Sequence, residues 1–335
     1  MRILIIGLGS MGKRRIRNLN ALGDYIIAGY DPRADRLKES NELYNIKIYD
    51  SFKFALKDFI PDVFIISTPP DTHMHYASIA FKLKIDCFIE ASVVDAPKIK
   101  MLSELSKEKE LIIVPSCTMR YFPGPKIIRQ LLKEVTIGSV LNINYHVGQN
   151  LHDWHPWEKI EEYYVSNPRT SATREIIPFE LTWLNEIFGK PRPVNCFKTK
   201  VSSLSVNYAD IFHIILLYDK GITLNLTIDV IAQPRAVREM RILGEKGQIH
   251  FSGEKNSVQY ILSGMSDWKT INLESGSFIT SSINPEEPYI HELKDFLLAL
   301  SSRKKELFPN SLENDFDQLI LLEKLERLSL KNNYA

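Results

Sequence analysis

The chain is poor in cysteine. It has three in 335 residues, Cys87, Cys117 and Cys196, and none forms a CxxC pair. So sparse and odd a count argues against a disulfide framework and suits a reducing compartment. A small buried hydrophobe is the stronger reading of all three, Cys117 included, although that residue is also open as a reactive thiol. The chain also lacks a charge imbalance: 42 Lys and Arg oppose 41 Asp and Glu, a net charge of +1. That removes any global argument for nucleic acid or an anionic membrane as partner. The basic run Lys13-Arg14-Arg15 reads as a solvated helix face or as a contribution beside a phosphate. No apolar run is long enough to span a bilayer. The apolar start breaks at glycines too early for a secretory h-region, so a cytoplasmic location is expected. No HExxH or clustered carboxylate pattern calls for a metal, and no GxSxG elbow marks a hydrolase.

What is present is two patterns in succession. Up to about residue 120, short apolar runs alternate with helical periodicity. Strands are predicted over 3–6, 25–30, 63–67, 87–89 and 111–114, with helices over 11–22, 72–84 and 97–107. Strand, helix, strand repeated in this way gives a doubly wound parallel sheet. Past Arg120 the pattern changes. A helix over 126–132 and a strand over 140–147 precede an aromatic stretch, 150–171, without a clean period. A helix over 174–188 carries Pro178 near its start. Strands follow over 194–201, 211–217, 223–230, 238–243, 248–252 and 257–262, a largely antiparallel sheet. Helices over 289–300 and 312–330 close the chain. The expected fold is α/β: a Rossmann domain over 1–120 and an α/β domain with a large, mostly antiparallel open sheet over 121–335.

Gly7-Leu8-Gly9-Ser10-Met11-Gly12 is a GxGxxG run between an apolar strand and a helix. That context separates a dinucleotide turn from a chance cluster of glycines. Gly7 allows the tight turn, and Gly9 lets the backbone at Ser10 and Met11 approach a pyrophosphate. Gly12 lets helix and strand pack closely, and the helix N-terminus faces the negative charge. Asp31 ends the second strand, where a carboxylate meets the adenosine ribose. It favours NAD, while Arg33 and Arg36 leave NADP open.

The run Asp62-Val63-Phe64-Ile65-Ile66-Ser67-Thr68-Pro69-Pro70 with His73, then Phe88-Ile89-Glu90 and Arg120-Tyr121-Phe122-Pro123, resembles the Gfo/Idh/MocA oxidoreductases over nearly the whole chain. The resemblance implies that Thr68, Pro69, His73, Glu90 and Arg120 join the dinucleotide groove. It also implies that the open sheet face is a subunit interface in a homo-oligomer, a dimer or tetramer. One departure stands out. The family's Glu-Lys-Pro is here Glu90-Ala91-Ser92, and 171–189 contains no histidine. The family's pocket Asp and His fall near Phe179 and Thr182, so the usual ionisable groups are missing.

Replacements are sought in two clusters. Gly148–Trp157 resembles a segment of a branch tied to bacterial surface sugars. It offers His155 as an acid/base near neutrality, Asp153 for hydroxyls, and Trp154 and Trp157 for stacking on sugar C–H faces. The competing reading is a loop whose indoles plug the core. The second cluster is Arg174, Glu175 and Glu180. Glu175 and Glu180 are acid/base candidates beside His155; they stand roughly 140° apart on a helix, so one faces a pocket while the other is solvated. Arg174 either binds a substrate carboxylate or phosphate, or it forms a salt bridge to Glu175 or stands as a surface charge. The function expected is an NAD(P)-dependent oxidoreductase acting on a sugar or sugar derivative. The alternative is a dinucleotide-binding sensor or partner protein without redox turnover.

Overall fold

The computed structural model describes residues 1–107, 110–134, 136–277 and 285–332. The chain forms two compact units. One comprises Met1–Thr118 with Ser277–Asp317, the other Met119–Gly276 with Gln318–Ala335.

In the first unit, β1 (Arg2–Ile6), α1 (Ser10–Leu22), β2 (Ile26–Tyr30), α2 (Ala34–Tyr44), β3 (Lys47–Tyr49), α3 (Phe52–Asp58), β4 (Val63–Ile66), α4 (His73–Leu83), β5 (Asp86–Ile89), α5 (Ala96–Lys107) and β6 (Ile113–Pro115) alternate. The strands form one parallel sheet in the order β3-β2-β1-β4-β5-β6. Ile3, Leu4, Ile5 and Ile6 are wholly buried. A parallel strand covered on both faces has no polar side to show, hence the unbroken apolar run. The order reverses between β1 and β4, and it is outside such a switch point that ligands bind.

In the second unit, α6 (Pro123–Lys133), β7 (Val140–Gly148), α7 (Ala172–Phe188), β8 (Arg192–Thr199), β9 (Ile211–Leu217), β10 (Thr223–Asp229), β11 (Val237–Gly244), β12 (Gly247–Ser252), β13 (Ser257–Leu262) and β14 (Lys269–Asn272) follow. Eight strands pair in the order β14-β13-β12-β11-β7-β10-β9-β8. All pairs are antiparallel except β7 with β10. The strands alternate cleanly. Phe212, Ile214 and Leu216 of β9 and Leu224, Leu226 and Ile228 of β10 are buried. On the other face stand Asn144, Asn225 and His213, all exposed. Between β7 and α7 the chain makes four short 3₁₀ turns (Leu151–Asp153, Ile160–Glu162, Tyr164–Ser166, Pro168–Thr170). This explains why 150–171 has neither helical nor strand periodicity.

Two helices end the chain: α8 (Glu287–Ser302) in the first unit, and α9 (Leu312–Asn332), whose first turns belong to the first unit and the rest to the second. The stretch 277–317 thus packs with the Rossmann sheet rather than with the strands that precede it. The basic face of α1 is the reason. Glu286 accepts from Arg14 Nε (3.0 Å), Arg17 Nη2 (3.1 Å) and Asn18 Nδ2 (2.7 Å). Arg15 is wholly buried between Glu292 (2.9 Å) and Glu90 (2.6 and 2.9 Å). The guanidinium also lies over the rings of Phe88 and Tyr289. The run Lys13-Arg14-Arg15 is therefore not a solvated face. Burial works against the Arg15 charge, and the two carboxylates outweigh it, holding the guanidinium protonated.

Candidate functional site

The glycine run does what its spacing predicts. Gly7 has φ +90, and a Cβ there would stand 2.7 Å from the Ser67 carbonyl oxygen, across the switch point. A Cβ on Gly12 would collide with the Gly7 carbonyl oxygen. Both glycines are demanded by the protein's own packing. Gly9 is not: its nearest neighbours would be Arg36 Nη1 and Cζ, at 3.5 and 3.8 Å. It caps α1 without a side-chain hydrogen bond, and the first turn at Ser10 and Met11 carries no acid. The helix N-terminus is thus a ready anion site, and the missing side chain leaves room for one.

Asp31 is 2% exposed. Leu8 N–H donates to its Oδ2 (2.8 Å) and Arg33 N–H to its Oδ1 (2.9 Å). The carboxylate ties the glycine turn to the end of β2. Arg36 Nη1 lies 3.8 Å from Asp31 Oδ2, and Arg33 pairs with Asp35 (2.6 Å). The residues present fit a dinucleotide: amides and a helix end for the diphosphate, with acid and guanidinium at the strand end.

The loop after β4 is braced from within. Thr72 donates its hydroxyl proton to Thr68 Oγ1 (2.7 Å) and to the Pro69 carbonyl (2.9 Å). His73 is buried, with Nε2 2.8 Å from the Thr68 carbonyl. Burial lowers its pKa, which keeps a neutral ring with Nε2–H donating. Glu90 gives both oxygens to Arg15 and also accepts from Ser67 Oγ (3.4 Å). Sequence reasoning missed Glu292. It accepts from Ser116 Oγ (2.9 Å), Cys117 N–H (2.5 Å), Thr118 Oγ1 (2.7 Å) and Arg15. Burial pushes its carboxyl upward while Arg15 pulls it back. The Cys87 and Cys196 thiols are held protonated by burial, the latter pushed up to about 12.

In the second unit the structure sorts the candidates. Glu180 is wholly buried. Its Oε2 accepts from Tyr145 Oη (2.7 Å) and Trp183 Nε1 (2.8 Å), and Arg238 Nη2 stands 2.8 Å from Oε1. Its place is that of a strut in the core: Tyr145 and Trp183 both donate to Oε2, and the partly exposed Arg238 pairs with Oε1. Arg174 bonds the Arg169 carbonyl and pairs with Glu326 of α9 at 2.9 Å. It forms a salt bridge, but with Glu326 rather than with the neighbouring Glu175. Arg120 donates from Nε to the Thr182 carbonyl (2.9 Å) and lies 3.7 Å from Glu186. It ties α7 to the start of the second unit. Asp153 is exposed, and Trp154 is half-buried, its Nε1 without a hydrogen-bond partner among the described residues.

The remaining candidates converge. His155 Nδ1 is 2.8 Å from Glu158 Oε2. The imidazole stacks on Tyr163 (centroids 4.6 Å apart, planes 16° apart) and on Trp157 (5.2 Å, 17°). Tyr163 packs edge-on against Tyr164, whose hydroxyl donates to Glu175 Oε2 (2.8 Å). Burial raises the Tyr163 phenol, and the charges of Glu158 and Glu175 add to that. Trp157 is 56% exposed. So the loop and the first turn of α7 bring His155, Trp157 and Glu175 into one aromatic and acidic cluster. Glu158 was not among the candidates, although an acid three residues after a histidine was the available signal. Among the described residues no group of three or more His, Cys, Asp or Glu is placed to hold a metal.

Comparison with known proteins agrees with this geometry. A family model described as "Oxidoreductase family, NAD-binding Rossmann fold" matches residues 1–116, and the model of the GFO/IDH/MocA C-terminal domain matches 126–250. A D-xylose 1-dehydrogenase (NADP(+)) of Hypocrea jecorina is 26% identical over 159 residues, 44% of this chain and 39% of that protein's length. An oxidoreductase from Agrobacterium radiobacter, solved with NAD+, L-tartaric acid and magnesium, superposes with a TM-score of 0.84 at 14% identity, covering 99% of this chain and 97% of that one. A levoglucosan dehydrogenase solved with NADH and levoglucosan gives 0.81 at 15% identity, with the same coverage. The last two share its fold. With the two models together taking in most of its length, the chain belongs to the Gfo/Idh/MocA oxidoreductase family, with an NAD-binding Rossmann domain at its N-terminus.

Proposed function

We propose that this chain is an NAD(P)-dependent oxidoreductase that oxidises or reduces a CH–OH group of a sugar or sugar derivative, in bacterial surface-sugar biosynthesis. The observation that carries the reading is Gly9. The fold does not need a glycine there, a bound diphosphate does, and the α1 N-terminus faces that space. When bound, the nicotinamide accepts or supplies the hydride. The protein's part is to hold the dinucleotide and to move a proton. Gly7–Gly12 and the first turn of α1 hold the diphosphate, and Asp31, Arg33 and Arg36 face the adenosine end. Thr68 and Pro69, braced by His73, border the switch point.

His155 is the acid/base, taking the proton of the substrate hydroxyl in oxidation and returning it in reduction. Glu175, beside Tyr164, orients a hydroxyl, and the exposed Trp157 stacks on a C–H face of the sugar. Self-association through the open sheet face belongs to the same proposal. Phe197 and Ile215 are exposed there among polar side chains, and the family resemblance points the same way. A second reading, dinucleotide binding without turnover, is favoured by one feature. Glu90-Ala91-Ser92 offers no ionisable side chain beyond Glu90, and both Glu90 oxygens are taken by Arg15. Nucleotide-free protein assayed with both dinucleotides and a panel of free, acidic and nucleotide-linked sugars decides between them. Turnover lost in His155→Ala supports the enzyme; tight binding without turnover across the panel supports the second reading.

A further inference from the structure

We infer that Glu158 is the positioning residue that fixes the tautomer of His155, with Tyr163 fixing the plane of its ring. This rests on the assignment of His155 as acid/base. An imidazole has two freedoms that spoil proton transfer, rotation of the ring and exchange of the proton between its nitrogens. Both are constrained here. The Tyr163 ring lies 4.6 Å from the imidazole centroid, planes 16° apart, and Trp157 lies 5.2 Å away at 17°. A ring stacked so closely turns only in its own plane. Glu158 Oε2 sits 2.8 Å from Nδ1. A carboxylate only accepts, so Nδ1 carries the hydrogen, and in the neutral ring Nε2 then carries the lone pair.

Around the imidazole, Glu158 bonds Nδ1, the Tyr163 phenol, kept protonated by burial, is stacked on the ring, and Tyr164 with Glu175, and Tyr208, neighbour Tyr163. The side chains of His155 and Glu158 are 17% and 16% exposed, so the pair is shielded without being sealed. A carboxylate that orients a histidine in this way raises kcat without touching the substrate.

The test uses the full-length protein labelled with ¹⁵N-histidine, with His155→Gln identifying the resonance. Long-range ¹H–¹⁵N spectra at neutral pH read the tautomer. The wild type shows Nδ1–H, and Glu158→Gln, which keeps an acceptor oxygen, shows it too. Glu158→Ala moves to the Nε2–H form that free imidazole prefers. With a sugar that turns over, Glu158→Ala lowers kcat by about 10-fold or more with KM nearly unchanged, and Glu158→Gln restores part of it. An Nε2–H tautomer in the wild type overturns the inference, as does a Glu158→Ala variant with unaltered tautomer or kcat. If the tautomers behave as stated but no sugar turns over, the clamp stands and the acid/base role of His155 falls.

Discussion

At the scale of single residues, the three glycines of one motif have different reasons. Gly12→Ala forces a Cβ into the Gly7 carbonyl oxygen and costs about 1–3 kcal/mol, the range for overpacking. Gly9→Ala meets nothing closer than Arg36 at 3.5 Å, so the fold tolerates it. Denaturant midpoints should fall for Gly12→Ala and hold for Gly9→Ala, while calorimetric affinity for dinucleotide should fall for Gly9→Ala as well. Arg36→Ala, which removes the guanidinium near both Gly9 and Asp31, should weaken NADP+ binding more than NAD+ binding in the same titrations. The glycine turn was legible in the sequence because its chemistry is local: strand, turn and helix are contiguous. Glu90 and Glu180 were legible as acids but not as struts. Glu180 is engaged by Arg238, which reaches it through the fold, and Arg15 meets Glu292 across 277 residues of chain. His155 was found and its partner Glu158 was not, because surface acids are common and only the geometry selects one.

At the scale of elements, α1 and α8 are joined by buried charge. Glu292→Ala leaves Arg15 with an uncompensated charge on that side, which costs roughly 3–5 kcal/mol, read as a lower denaturant midpoint. Asp315, near the start of α9, is buried, and burial pushes its carboxyl up to about 7. The folded value lies above the unfolded one, so the protonated form favours folding. That stability is intact below the ordinary carboxylate range and is lost as pH rises to about 7. Asp315→Asn should therefore raise the thermal midpoint above wild type at about pH 8, and the gain should shrink toward pH 5. The parallel-sheet strands and the amphipathic helices showed in the sequence as apolar runs. The stretch 34–58 did not: α2 buries only Leu37 and Ser40, and β3 has three residues, so neither shows a period. The 3₁₀ turns of 150–171 were illegible for the same reason.

At the scale of the whole molecule, two α/β units of the expected kinds are present, and the chain shares its fold with the oxidoreductases it resembles. The stretch 277–317 packs with the first unit. A composition-based boundary at Arg120 has no means of showing that return, because the partners, among them Glu286 and Glu292 on α1 and Phe296 on Phe88, lie far apart in sequence. Phe197 and Ile215 on the open sheet face should matter to assembly: Phe197→Glu with Ile215→Glu should shift sedimentation from oligomer toward monomer, leaving the circular dichroism spectrum unchanged. The most direct test of the account is calorimetric titration of nucleotide-free protein with NAD+, NADH, NADP+ and NADPH, with Gly9→Val as control. Saturable micromolar binding of at least one dinucleotide by the wild type, abolished in Gly9→Val of unchanged thermal midpoint, is the result expected. Absence of heat with all four at millimolar ligand, from protein that is folded and free of carried-over nucleotide, would contradict it.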